Sequence, residues 1–161
     1  MRTGIIVSGI ALLVLALDQL TKFIVDKTIE LNYGVIEVLP FFNLINIRNK
    51  GAAFGLFSGM GNIFFYVISF VAVTILIAYL TKITNRLERI SLAMILGGAV
   101  GNLIDRVFRG SVVDFVDLFV PGCGEPWCHW PAFNIADTAL TVGIVIYLFA
   151  NIKDSFSKKK A

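Results

Sequence analysis

Asp18, Asp105 and Asp137 each border a stretch of 15 residues that carries no charge, running over 3–17, 90–104 and 138–152. Acids at the edge of, or inside, apolar segments of that length are costly to hold ionised and tend to mark function. Asp18 and Lys22 stand four apart and share one helical face, so an ion pair is expected. That pair either locks a helix end or takes part in chemistry. Asn102, Asp105, Arg106 and Arg109 repeat at three- and four-residue spacing, and Arg106 has the geometry to bridge a carboxylate from another helix with two bonds. Asn134, Asp137, Thr138 and Thr141 form a polar stripe on an apolar segment, expected to face a bundle interior. After the third apolar run, Val112-Val113-Asp114-Phe115 brings a fourth aspartate back among apolar neighbours, with Asp117 three residues on. Two aspartates brought together at low dielectric share one proton. One can then activate a water while the other protonates a carbonyl oxygen, which is peptide hydrolysis of the aspartic-protease type. The same groups would also serve as relays in a proton-coupled carrier. Spacing alone does not choose between these, and by itself it pairs Asp105 with Asp137.

Other chemistries lack their parts. The single histidine, His129, adjoins two cysteines, so no Ser-His-Asp set can be built. No zinc-protease helix motif, phosphate-binding glycine loop or dinucleotide fingerprint occurs. Cys123 and Cys128 with His129 fall short of a metal ligand set, so neither a metal nor a cofactor is expected. A disulfide within this loop is the favoured reading outside the cytoplasm, with two free thiols as the alternative. Trp127 and Trp130 beside it read as interfacial anchors. Basic residues do not cluster with aromatics outside the apolar runs, which argues against nucleic acid as a partner.

The elements that must position these residues are set by composition. Of 161 residues, 57% are apolar and 16% charged, and the mean hydropathy is +0.83. A soluble domain carries about a quarter charged residues, and one of about 150 residues buries only roughly 70% of its unfolded surface. The apolar excess must face lipid. The chain is read as one integral-membrane domain over 1–161, with spans at 4–25, 62–80, 90–108 and 133–152. Fifteen helical residues cover about 22 Å of a hydrocarbon core of roughly 30 Å, so the aspartates are carried to the membrane edge. Eight basic residues and two acidic ones flank the N-terminus, the second connection and the C-terminus; the remaining connections and helix ends hold six and nine. Both termini are therefore expected in the cytoplasm. Arg2 to Asp18, Arg89 to Asp105 and Lys153 back to Asp137 are each 16 residues, or about 24 Å of helix, so the three aspartates share one depth near the outer face. Val14-Leu15-Ala16 loosely fits a signal-peptide cleavage site, but cleavage would discard the Asp18–Lys22 pair and leave three spans. Val35–Val38 and Phe42–Ile47 have strand composition, and small residues follow at Gly51, Ala52 and Ala53. The fold expected is a mostly α membrane protein of four transmembrane helices, with a small extracytoplasmic β element between the first two.

Five ordered blocks carry a resemblance: Asp18-Gln19-Leu20-Thr21-Lys22, Asn49-Lys50-Gly51-Ala52-Ala53-Phe54, Gly101-Asn102-Leu103-Ile104-Asp105-Arg106, Val112-Val113-Asp114-Phe115 and Phe133-Asn134-Ile135-Ala136-Asp137. Together they closely resemble the signal peptidase II family over the whole chain. The resemblance implies an aspartic endopeptidase of the bacterial cytoplasmic membrane, working near the outer leaflet without a cofactor. It implies cleavage of prolipoproteins just before a diacylglyceryl-modified cysteine, with such precursors and membrane lipids as partners and a monomer as the working unit. The family's catalytic pair falls on Asp114 and Asp137, which replaces the pairing drawn from spacing. Asp18, Lys22, Asn49, Gly51, Asn102, Asp105, Arg106 and Asn134 match its other polar positions, which support the site or bind substrate. The departure from the family pattern is the stretch 121–130, which sets the two catalytic aspartates 23 residues apart.

Overall fold

The apolar runs fold as four helices: α1 (Arg2–Thr28), α2 (Gly61–Leu80), α3 (Arg86–Arg109) and α4 (Ile135–Lys158). All four are long and apolar enough to cross a membrane. The computed structural model describes residues 2–50 and 61–158; Gly51 and its small neighbours lie outside the described residues. α3 is the hub, packing against α1, α2 and α4. Its two ends are set by local chemistry. Asn85 accepts from the Leu87 and Glu88 amides at the N-terminus, satisfying donors that an α-helix leaves unpaired. Gly110, at φ 73°, closes the C-terminus with its N–H on the Arg106 carbonyl, a left-handed cap that glycine adopts without strain.

Close approach to α3 depends on missing side chains. A Cβ on Gly101 would stand 2.5 Å from Asp18 Oδ2, and one on Gly98 would collide with the Ala136 carbonyl oxygen. Small residues at such crossings let helix backbones meet, which drives helix association where lipid offers no hydrophobic gain. α1 and α4 thereby bring their polar groups onto one stretch of α3.

Three antiparallel strands lie at one end of the bundle in the order β1 (Val35–Leu39), β2 (Phe42–Asn49), β3 (Val112–Leu118). The first two are the strands expected between the first two spans. The third is formed by the stretch that returns after α3, beyond the two strands expected from composition. Ile47 pairs with Asp114 and Asn49 with Val112 in β2–β3. Alternation along β3 then sends Val113 and Phe115 to one face and Asp114 to the other. Val113 and Phe115 pack on Val25 of α1 and on Ile29 just past its end, forming a buried apolar cluster. Burying that face fixes the register, because a one-residue slip would expose it.

Candidate active site

Asn134 organises the site from the start of α4. It caps the helix: its Oδ1 accepts from the Asp137 amide at 2.9 Å, while its own amide donates to Asp137 Oδ2 at 3.3 Å. This reciprocal pair is a capping box with Asp in place of Glu. The free end of the same side chain turns to β3, where Nδ2 donates to Asp114 Oδ1 at 2.7 Å. One buried residue therefore holds two carboxylates from different elements. Asn49, diagonal to Asp114 across the β2–β3 ladder, donates to Asp114 Oδ2 at 3.0 Å. Asn102 donates to Asp137 Oδ1 at 2.8 Å.

Behind this row lies a buried charge cluster. Lys22 Nζ lies 2.8 Å from both Asp18 Oδ2 and Asp105 Oδ2, all three side chains being 0% exposed. It also donates to Asn102 Oδ1 at 3.0 Å. An ammonium only donates and a carboxylate only accepts, so the Asn102 amide is oriented between Lys22 and Asp137. Asp18 Oδ1 accepts from the Ala136 amide at 2.9 Å, within the first turn of α4. Asp105 accepts from the Val113 amide at 3.2 Å, just before Asp114, and pairs with Arg109. Gln19 joins Asp18, Asp105 and Arg109. Arg109 and Arg48 converge on Asp26, the latter at 2.7 Å.

Asp114 and Asp137 both line a cleft of about 840 Å³. Ile47, Ala132, Phe133 and Val142 supply apolar wall, and Lys50 and Trp130 stand beside them. Burial, followed by the neighbouring Asp137 carboxylate, pushes the Asp114 carboxyl up to about 6, against Asn49 and Asn134, which favour its ionised form. A carboxyl that holds a proton until near neutrality, beside a second carboxylate in an open cleft, is equipped to exchange protons with a water and a carbonyl.

Most of the polar positions singled out in the sequence meet here, with three differences. Asp105 does not face Asp137 in the cleft; it is fully buried and its oxygens are taken by Lys22, Arg109, Gln19 and the Val113 amide. Arg106 makes no carboxylate bridge among the described residues and donates instead to the Asn102 carbonyl at 3.3 Å; Arg109 reaches the other helix. Thr138 and Thr141 are exposed and line the cleft, so the α4 stripe faces an opening rather than a sealed interior. Gly51 lies outside the described residues. Gln19, Asp26 and Arg48 were not anticipated. Asp26 carried a signal, since Asp18, Lys22 and Asp26 repeat every four residues; Arg48 had none. The Asn134-x-x-Asp137 box was also legible as a helix start.

The loop that departs from the pattern is tied down. Cys123 and Cys128 form a disulfide with Cα atoms 6.0 Å apart. Val120 and Trp130 amides donate to the Cys128 and Leu118 carbonyls, so 128–133 runs beside β3. His129 Nδ1 lies 2.7 Å from Asp117 Oδ1 and its ring stacks on Phe119. Trp130 is exposed; the Trp127 side chain lies outside what is described.

Over residues 10–153 the chain matches the family model for signal peptidase (SPase) II. It belongs to the signal peptidase II family. Lipoprotein signal peptidase of Thermodesulfovibrio yellowstonii is 40% identical over 88% of this chain and 90% of its own length. That of Burkholderia mallei is 45% identical over 90% and 86%. A bacterial membrane enzyme solved by the in meso method at 2.3 Å resolution superimposes with a TM-score of 0.80 at 36% identity, covering 94% of this chain and 90% of that one. The chain is thus an enzyme of this peptidase family and a multi-pass bacterial membrane protein, and the proton-coupled carrier reading falls with that membership.

Proposed function

We propose that this chain, as a single integral-membrane unit, cuts prolipoproteins just before their diacylglyceryl-modified cysteine, with Asp114 and Asp137 as an aspartic dyad. The observation that carries this reading is Asn134 joining both carboxylates at one open cleft. With one proton on the pair, the ionised member takes a proton from a water as its oxygen attacks the scissile carbonyl. The protonated member donates to the carbonyl oxygen. Collapse of the tetrahedral intermediate breaks the C–N bond and returns a proton to the leaving amine. Asn49, Asn102 and Asn134 hold the acceptors in place, and the Asp18–Lys22–Asp105 cluster fixes the ends of α1, α3 and α4 behind them. Asp18, Lys22, Asn49, Asn102, Asp105 and Asn134 support the site, as do Arg106 and Gly51 by resemblance. The basic-residue asymmetry supports cytoplasmic termini and a site near the outer leaflet. A substrate whose signal helix and lipid both lie in the bilayer reaches such a cleft from the side.

The deciding experiment incubates the purified protein with a lipidated precursor. Asp114→Asn and Asp137→Asn should each lose cleavage while still retaining substrate, and Asp105→Asn should fail through lost stability. Activity should survive excess chelator. Loss with chelator and rescue by one added metal, or turnover in both dyad variants, would overturn the assignment.

A further inference from the structure

At the end of the bundle away from the sheet, α1 and α2 both flank α3 without packing against each other. The gap is a groove of about 560 Å³, the size of an ordinary ligand site. Ser8 and Ala11 of α1, Ile77 and Leu80 of α2, and Leu96 of α3 line it with apolar or small groups. Thr81 adds a second hydroxyl to that of Ser8, and Arg89 is the charged residue of the lining. Its Nε is engaged by the Ile83 carbonyl, which holds the guanidinium in one orientation. Among the described residues its two terminal nitrogens make no hydrogen bond or ion pair. Lys82 and Arg86 are exposed nearby, whereas the adjacent acid, Glu88, is buried. Arg89 and Leu96 are seven residues apart, so the charged and apolar parts are separated by about 10 Å along α3.

A charge-bearing fork at the mouth of a lipid-facing apolar groove suits one class of ligand. We infer that this groove binds a phospholipid of net negative charge, its phosphate on the Arg89 guanidinium and an acyl chain lying between α1 and α2. A planar guanidinium matches phosphate oxygens with two parallel bonds. Basic pockets between transmembrane helices on the cytoplasmic side recognise anionic headgroups in this way. The occupant is the whole lipid, because beyond Arg89 the groove offers a headgroup only the Ser8 and Thr81 hydroxyls, the latter already donating to the Ala78 carbonyl, and offers a chain apolar contact from three helices.

The test is native mass spectrometry of the purified full chain in mild detergent, titrated with phosphatidylglycerol or with phosphatidylcholine of the same acyl chains. One phosphatidylglycerol should be retained about tenfold more tightly, as expected for a single charge-assisted contact. Arg89→Gln should abolish the preference, while Arg86→Gln, the same charge change outside the groove, should preserve it. Ser8→Phe, at an exposed lining position, should weaken binding of both lipids without altering charge, and it keeps the proposal testable if Arg89→Gln does not fold. Excess inorganic phosphate should not displace the lipid. Equal losses in Arg86→Gln and Arg89→Gln, no preference between the lipids, unchanged binding in Ser8→Phe, or displacement by phosphate would each overturn it.

Discussion

Asp114 sits where two demands conflict. Its hydrogen bonds from Asn49 and Asn134 favour the ionised carboxylate, yet burial raises it to about 6, well above the roughly 3.9 of a free aspartate. Between about pH 4 and 6 the folded chain holds a proton that the unfolded chain has lost, so stability falls as pH rises through that window and stays lowered above it. Asp114→Asn removes this penalty. Its thermal midpoint in detergent should match the parent near pH 4 and exceed it at pH 7; equal midpoints at both would show that burial does not strain this carboxyl. Asn134 works in the opposite sense. Asn134→Ala removes a side-chain donor from Asp114, while the backbone N–H that reaches Asp137 remains, so the Asp114 carboxyl keeps its proton longer. The pH profile of its residual cleavage should move to higher pH, the apparent values belonging to the pair. A profile that moves to lower pH would mean that Asn134 stabilises the protonated form.

Among the elements, the junction of α1, α3 and α4 depends on Lys22, the cation between Asp18 and Asp105. Lys22→Met would leave two buried carboxylates facing each other, a change that costs about 3–5 kcal/mol. It should lower the thermal midpoint sharply, and adding Asp18→Asn should recover part of the loss; a midpoint unchanged by Lys22→Met would show that this cluster is not structural. The disulfide closes a short loop, so Cys123→Ser with Cys128→Ser should cost only about 2–3 kcal/mol and leave most cleavage intact; complete loss of cleavage in a folded variant would show that this loop takes part in catalysis or substrate binding. How legible these elements were follows from the range of the forces involved. Apolar period and length announce the helices, and Asp18–Lys22 spacing announces its ion pair, because both are local. β3 was missed as a strand since its partner, β2, lies more than sixty residues away and Val112–Leu118 alternates only in part. The proposed choice of Asp114 over Asp105 was illegible from spacing for a similar reason. Asp105 and Asp137 share a depth on two helices, but which acid is neutralised depends on Lys22 and Arg109 folding onto Asp105. The proposed pairing of Asp114 with Asp137 was legible only through the resemblance of the five ordered blocks.

On the scale of the whole molecule, the bundle is open at its sides. Large apolar residues such as Phe23, Ile63, Phe70 and Phe149 are exposed along the helices, consistent with lipid contact. α2 packs on α3 and reaches α4 through the Tyr79 and Tyr147 hydroxyls, 2.7 Å apart. The charged ends differ. The sheet and the proposed dyad gather at one end, where acids are plentiful; Lys82, Arg86 and Arg89 gather at the other, where Glu88 is buried. If basic residues stay in the cytoplasm, that end faces inward and the cleft faces out. Because helix passes alternate, one assignment fixes all the connections. A reporter active only in the cytoplasm should therefore work when fused after Arg86 or at Ala161 and fail near Tyr33 or Gly124, and a reporter active only outside should give the complementary pattern. Cytoplasmic signal at Tyr33 and Gly124, with none at Arg86 and Ala161, would invert the molecule, put the dyad on the inner side and remove the route by which an exported precursor reaches it.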